Sequence, residues 1–242
     1  MPTVLAVLLV LAPVIALAQT PVERARGLIA AYHEDAHRID EARDLLEAAI
    51  TQDRPTDAVT LLSRIYFLAG EVRATTDDDK LAAFGRGRDL GKLAIELAPR
   101  SEEAHVWYAL NLGRWGQTKG MMRSLFLLPT IREELDTIFS INPRSVRGHA
   151  LAGNLFFELP GMFGGDRKKS EEHFRKGIEA DPHFTVLRLD LARLLVAEGR
   201  VAEARRELER VVSETAPTNV ADWTARDRPR ARTRLDELRD RK

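Results

Sequence analysis

Residues 187–212 read LRLDLARLLVAEGRVAEARRELERVV. Leucines recur at helical spacing before Gly199, and an apolar residue recurs every three or four positions after Arg200. The Gly199-Arg200 pair marks a turn, because glycine readily adopts the backbone conformations that end a helix. The small residues Ala192 and Ala204 let the two predicted helices approach each other closely. This stretch therefore predicts a helical hairpin.

Four prolines divide the chain at nearly regular intervals. Pro99, Pro143, Pro182 and Pro217 follow one another at spacings of 44, 39 and 35 residues. A proline cannot continue a helix and biases the preceding residue out of the α conformation, so it separates one hairpin from the next. The 35-residue step has the length of a tetratricopeptide repeat, and the two longer steps contain insertions.

The apolar pattern of this hairpin recurs in four earlier units. It places them over residues 28–49, 61–97, 107–138 and 152–178. Units of this kind bury their apolar faces only by stacking on their neighbours. We therefore predict an all-α fold, an α-solenoid of about five degenerate tetratricopeptide-like hairpins over residues 19–242, which ends in a polar capping helix at residues 228–241.

The first 18 residues have the features of a leader. They carry no charged side chain and contain an apolar run from Val4 to Ala18, which ends in the small-x-small pattern Ala16-Leu17-Ala18. Pro13 interrupts the run, which is shorter than the roughly 20 residues of a membrane-spanning helix. We predict that residues 1–18 are a cleavable signal peptide and that the mature protein is periplasmic.

Composition narrows the classes of function. Lysine plus arginine and aspartate plus glutamate balance at 37 each, so no overall positive field favours nucleic acid, and we predict no nucleic-acid partner. The chain contains no cysteine. This excludes disulfides, thiolate metal sites, cysteine nucleophiles and the lipidated cysteine of a bacterial lipoprotein.

Residues 113–131, GRWGQTKGMMRSLFLLPTI, exceed the repeat period and are unusually apolar for a connection. One interpretation is an extended helix that fills the core between units. The other is an adaptable apolar wall for a ligand or partner, since methionine and aromatic side chains accommodate varied shapes. On the second interpretation the candidate binding residues are Trp115, Met121, Met122, Leu125 and Phe126.

A glycine-rich turn, LPGMFGGD at residues 159–166, marks the second insertion. Glycines permit positive φ and close backbone approach, and the aspartate is suited to cap the following helix. Exposed backbone amides beside the cations at residues 167–169 offer a weaker alternative, an anion site. The candidate binding residues of this turn are Pro160, Gly161, Gly164, Gly165 and Asp166.

This turn, followed by Lys169, Phe174 and Ile178, resembles the periplasmic T-component associated with TRAP transporters. The stretch EAHVWYA at residues 103–109 also resembles a family of degenerate repeat proteins described as regulators of microtubule dynamics. The first resemblance implies a non-enzymatic protein that forms homo-oligomers, contains an apolar channel and docks a periplasmic solute-binding protein.

An H-E-x-x-H pattern, HEDAH at residues 33–37, raises the alternative of a zinc peptidase. On a helix, His33 and His37 share a face and could bind zinc, while Glu34 activates the bound water. Asp35 lies inside the motif, however, and neither a preceding strand-rich lobe nor an obvious third ligand is visible. We therefore predict that the motif forms a solvated face of the first helix, and we predict no metal and no cofactor.

The sequence favours a non-enzymatic repeat protein that mediates protein–protein interaction. Its finer interpretation is an accessory subunit of a TRAP-type uptake system, in which an apolar or organic-acid ligand lies near Trp107, residues 113–131 and the glycine-rich turn. A structural scaffold for envelope proteins is the second hypothesis.

Overall fold

The computed structural model describes residues 19–51 and 53–239, in which the regular secondary structure is helical and begins with five hairpins. The hairpins are α1 (Pro21–Ala30) with α2 (Arg38–Ala49), α3 (Thr56–Leu68) with α4 (Asp77–Leu97), α5 (Glu102–Lys119) with α6 (Met121–Ile141), α7 (Val146–Glu158) with α8 (Arg167–Ala180), and α9 (Val186–Ala197) with α10 (Val201–Ser213). The predicted all-α solenoid is confirmed. The predicted signal peptide, residues 1–18, lies outside the described residues.

Hairpin α9–α10 has the predicted form. Gly199 adopts a φ of 77° between the two helices, which is a conformation that favours glycine. Leu187, Leu194, Leu208 and Val211 are all buried in one apolar cluster with the C-terminal end of the chain. The apolar stripes of the sequence are therefore the packing faces of this repeat.

Polar side chains cap the N-terminal ends of several helices of the repeats. Thr20 and Thr76 form capping boxes with Glu23 and Asp79, in which side chain and backbone exchange hydrogen bonds. Ser101 accepts a hydrogen bond from the backbone of Ala104 at the start of α5. These caps satisfy backbone amides that have no partner within the helix, so they fix where each helix begins.

Pro99, Pro143 and Pro182 lie in the turns between hairpins, and two histidines lie beside the backbone of the first two. His105 Nε2 lies 3.0 Å from the carbonyl oxygen of Pro99, and its Nδ1 lies 2.5 Å from Glu134 Oε2. His149 occupies the equivalent position beside the backbone of Pro143, and its Nδ1 lies 3.0 Å from His173 Nδ1. Both histidines are buried, so they pack one hairpin against the next.

Residues 113–131 lengthen two helices instead of forming a loop. Helix α5 continues to Lys119 and α6 starts at Met121, so Gly120, with a φ of 107°, is the residue between them. The extended-helix interpretation is confirmed in this respect, and Pro129 lies inside α6. None of the described helices, α6 included, is long and apolar enough to cross a membrane.

The C-terminal segment, residues 220–237, returns across the solenoid. It consists of α11 (Val220–Asp222), a π-helical turn at Trp223–Asp227 and α12 (Arg228–Glu237). Helix α12 packs on α10 as the predicted capping helix. The part before it contacts the other end of the chain, because Tyr32 Oη donates to Asp222 Oδ1 at 2.5 Å and Ala221 is buried in the N-terminal core.

Candidate functional site

A cavity of about 300 Å³ lies between the first helices of four hairpins and the C-terminal segment. Helices α3, α5, α7 and α9 form its wall, and α11 with the adjoining π-helical turn closes it. Its size is at the lower end of that of small-molecule sites. We call it the groove cavity.

Aromatic side chains form one part of the wall. Phe67, Trp107 and Phe184 line the groove cavity, and the rings of Phe67 and Trp107 are tilted with their centroids 5.6 Å apart. The Trp107 indole donates its Nε1 hydrogen to Glu103 Oε1 at 3.2 Å. This bond fixes the orientation of a large apolar surface at the cavity.

Two arginines lie beside this indole. The guanidinium carbons of Arg64 and Arg147 lie 5.6 and 5.3 Å from the Trp107 ring centroid, within the range of cation–π attraction. Burial, and next the positive charge of Arg147, lower the pKa of Arg64 below its usual range. The two guanidinium groups therefore repel each other at a position where burial removes part of their hydration.

A network of hydrogen bonds and ion pairs between α7 and α9 forms a second part of the cavity wall. Asn154 Nδ2 donates to Asp190 Oδ2 at 2.8 Å, and Arg193 Nη2 donates to Asn154 Oδ1 at 2.5 Å. Arg193 also lies 3.3 Å from Glu158. Burial raises the pKa of Asp190, and the positive charge of Arg193 and the hydrogen bond from Asn154 oppose this effect.

The closing contacts supply further charges at the rim. Arg226 Nη2 donates to Glu71 Oε2 at 2.6 Å, which joins the C-terminal segment to the turn after α3. Asp227 is buried and accepts a hydrogen bond from Thr185 Oγ1 at 2.7 Å, and burial raises its pKa to about 6. Burial also raises the pKa of Tyr32, the donor to Asp222.

Of the binding residues predicted from the sequence, Trp107 lines the groove cavity within the part of the chain that the structure describes. Trp115 lies against α4, where the Arg88 guanidinium is 4.8 Å from its ring centroid. Met121, Met122 and Phe126 are 71%, 68% and 73% exposed at the start of α6. Leu125, which is half-buried, also precedes the part of α6 that packs in the core.

The glycine-rich turn has the geometry that its sequence predicts. Gly164 has a φ of 92°, and a Cβ added to Gly165 would lie 1.8 Å from the carbonyl oxygen of Leu159. Asp166 accepts a hydrogen bond from the backbone of Lys169 at 3.0 Å and so caps α8. These contacts give the turn a structural role, and its role in binding stays a prediction.

The H-E-x-x-H motif does not lie on a helix, so the prediction of a solvated helical face is wrong. Helix α1 ends at Ala30 and α2 starts at Arg38, which leaves residues 33–37 in the turn. The arrangement needed for two histidines to share a helical face is therefore missing. Nor do any three histidine or acidic side chains among residues 19–51 and 53–239 form a group suited to a metal ion.

Sequence reasoning missed the arginines of the cavity. Arg64 is the only charged residue of residues 58–68, AVTLLSRIYFL. A single cation in a mostly apolar stretch of helix is the signal that could have identified it. Arg147 carries no comparable signal, because its neighbours in α7 are of mixed character.

The sequence model of the family described as Regulator of microtubule dynamics protein 1-3 matches residues 22–164, which are more than half of the chain. The chain belongs to this family. A tetratricopeptide repeat model matches residues 165–226. Regulator of microtubule dynamics protein 3 of Rattus norvegicus is 21% identical over 136 residues, which are 56% of this chain and 29% of that protein. The chain thus matches less than a third of the length of this curated relative.

Solved structures share the fold. A thermophilic TPR protein of Thermus thermophilus has a TM-score of 0.65 and 18% identity, and the match covers 88% of this chain and 98% of that one. A monomeric IFIT1 mutant solved with m7Gppp-AAAA has a TM-score of 0.50 and 16% identity, over 91% of this chain and 55% of that one. At these identities the likeness shows the fold alone. The resemblance to the TRAP component stays a prediction.

Proposed function

We propose that this protein is a non-enzymatic binding protein whose groove cavity holds a small ligand, and that it acts as an accessory subunit of another protein. The observation that carries the proposal is the cavity itself, in which three aromatic side chains lie among many polar and charged ones. Aromatic surface together with oriented polar groups is what holds and orients a ligand in small-molecule sites. The match covers only 29% of the rat relative, so the activity that its name describes is not carried over to this chain. The proposal is therefore confined to the groove cavity.

Filling the cavity tests the proposal. Ala150 lines the cavity, so Ala150→Trp should occupy the space that a ligand needs. Ala82 is exposed on α4, and Ala82→Trp is the matched control. Native mass spectrometry of the protein purified without denaturant should show a bound small molecule for the unmodified chain and for Ala82→Trp, and none for Ala150→Trp. Circular dichroism checks that both variants are folded.

The scaffold hypothesis makes the opposite prediction. A purely structural repeat protein would give ligand-free spectra for all three chains, and Ala150→Trp would bind protein partners as the unmodified chain does. Either equal ligand occupancy in Ala150→Trp or repeated ligand-free spectra of the unmodified chain would reject the groove as a ligand site.

The finer proposal is that the partner is a periplasmic solute-binding protein of a TRAP-type system. The leader-like residues 1–18 and the turn at residues 159–166 support it. Export predicts that the mature protein recovered from the periplasmic fraction begins at Gln19, which N-terminal sequencing checks. A solute-binding protein encoded beside this chain should form a complex with it in analytical ultracentrifugation, which also reports homo-oligomers. The absence of a complex at 100 micromolar would reject the TRAP assignment while leaving the groove proposal intact.

A further inference from the structure

The guanidinium of Arg64 has no partner in the part of the chain that the structure describes. Its Nε is shielded from solvent and makes no hydrogen bond, and none of its nitrogens lies within ion-pair distance of a described carboxylate. Trp107 is its aromatic neighbour. Asp222 and Glu103 attract this charge from beyond ion-pair distance, but burial outweighs their effect and lowers the pKa of Arg64. A cation in this position is costly, because it loses hydration without gaining a directly paired counter-charge.

Arg147 repeats the pattern on α7. Its guanidinium carbon lies 5.3 Å from the ring centroids of both Trp107 and Phe184, and it makes no hydrogen bond or ion pair with a described residue. Two cations therefore border one aromatic wall. Cation–π contacts orient them but do not neutralise them.

The carboxylates that line the cavity have other partners. Asp222 accepts from Tyr32 and from Asn219, and Asp227 accepts from Thr185. Asp190 accepts from Asn154, and Glu158 accepts from Gln117 at 2.6 Å. Glu103, the acid nearest the indole, accepts from Trp107. Asp222 and Glu103 attract the Arg64 charge, but neither lies within hydrogen-bond or ion-pair distance of it. Among the described residues, Arg64 and Arg147 therefore have guanidinium donors available to an external anion.

We propose that the groove cavity is a carboxylate-binding site, in which Arg64 and Arg147 pair with a small organic acid whose apolar body lies against Phe67, Trp107 and Phe184. This inference rests on the proposed function, since it specifies the ligand of the same cavity. Guanidinium groups match the planar geometry of a carboxylate and form charge-assisted hydrogen bonds with it. The aromatic wall favours an acid with an apolar body over an inorganic anion.

Pairs of acids and amides test the charge requirement. The probes are hexanoate, octanoate, 3-phenylpropionate and indole-3-acetate, each compared with its primary amide by isothermal titration calorimetry against the full chain. At least one acid should bind with a Kd of about 1 mM or tighter, and its amide should bind at least about tenfold more weakly, because the amide lacks the charge that strengthens hydrogen bonds to guanidinium. Inorganic phosphate is the control for an anion without an apolar body, and it should bind more weakly than the best acid.

Arginine variants test the two named residues. Arg64→Met and Arg147→Met keep most of the apolar length of the side chain and remove the charge, and each should weaken the best acid at least about tenfold. Arg206→Met removes an exposed arginine of α10 and is the matched control, which should leave the affinity unchanged. Without ligand, Arg64→Met should raise the Tm by about 2–4 °C, because removing an unpaired, partly buried charge is favourable. A site in which Arg64 only supports the fold would instead lose stability.

Three results would overturn the inference. They are acids and amides of equal affinity, arginine variants that bind the best acid as the unmodified chain does, and phosphate that binds as tightly as the acid. Failure of all four acids to bind at 10 mM would also overturn it. None of these results excludes a neutral ligand that native mass spectrometry detects in the unmodified chain and not in Ala150→Trp. Failure of the carboxylate site can therefore be distinguished from failure of the proposed function.

Discussion

The ion pair between Arg226 and Glu71 should determine whether the C-terminal segment stays closed over the groove. These side chains are 17% and 11% exposed, and Arg226 Nη2 lies 2.6 Å from Glu71 Oε2. With an effective dielectric constant of about 20, this separation corresponds to an attraction of about 6 kcal/mol before desolvation is subtracted. Because removing one partner leaves the other charge buried, breaking such a pair costs about 3–5 kcal/mol.

Arg114 moderates this cost. Its Nε lies 2.9 Å from Glu71 Oε1, so Glu71 keeps one cation when Arg226 is replaced. We therefore expect Arg226→Met to lower the free energy of opening of residues 220–227 by about 2–3 kcal/mol. Hydrogen exchange of the backbone amides in this stretch measures that free energy directly, and urea unfolding followed by tryptophan fluorescence measures the effect on the whole chain.

A surface pair provides the control. Arg234 and Glu237 are 59% and 55% exposed and lie 3.5 Å apart in α12, so Arg234→Met should cost less than about 0.5 kcal/mol. If Arg226→Met accelerated exchange in residues 220–227 no more than Arg234→Met does, the ion pair would not hold the segment closed. The reasoning that this ion pair joins the C-terminal segment to the second hairpin would then be refuted.

Three further perturbations test the packing and the turns. Leu208→Ala should lower the free energy of unfolding by about 2–5 kcal/mol because the side chain is buried, and a loss below about 0.5 kcal/mol in urea unfolding would contradict its place in the core. Gly165→Ala should cost about 1–3 kcal/mol because its Cβ would meet the Leu159 carbonyl oxygen, whereas Gly161→Ala, which meets no atom within 4 Å, should be nearly neutral in thermal unfolding. Burial, and next the nearby His149, lower the pKa of His173 from 6.5 to about 4. Between these two pH values the unfolded chain binds more protons at His173 than the folded chain does. The contribution of this histidine to the free energy of unfolding is therefore fully present above pH 6.5 and is lost toward pH 4, by about 1–2 kcal/mol after solvent screening. His173→Gln should flatten the dependence of the free energy of unfolding on pH in this range.

Local pattern was sufficient to predict the hairpins. Pro99, Pro143 and Pro182 each follow the end of a helix because proline disfavours helix continuation, although Pro129 lies inside α6. The apolar periodicity of residues 187–212 is carried by side chains only three or four positions apart. The predicted insertion at residues 113–131 shows where such reasoning stops. A surplus of residues over the repeat period indicates an addition, but the addition can lengthen two helices as easily as a loop, and here α5 and α6 meet at Gly120.

The site depends on contacts that no local pattern carries. Tyr32 and Asp222 are 190 positions apart and meet because the stacked hairpins bring the first hairpin against α11. That arrangement is a sum of small rotations between neighbouring repeats, so it is set by packing and not by any motif. The residues around Trp107 predict that it is a binding residue, whereas its position beside Arg64 and Arg147 follows from how the repeats stack.

Closure and binding are linked by the position of the groove cavity. Arg64 lies on α3 and Arg147 on α7, and the cavity they share is closed by the C-terminal segment, whose Ala221 is buried with the N-terminal hairpins and whose Trp223 packs with the C-terminal ones. An acid that pairs with both arginines binds only while the segment keeps this arrangement. By mass action, ligand at about 100 times its Kd then adds about 2.7 kcal/mol to the closed state, which is similar to the contribution expected from Arg226. Glu71 already holds Arg114 and Arg226. Arg64 and Arg147 have no ion pair with a residue that the structure describes, and a bound acid supplies the counter-charge beside them.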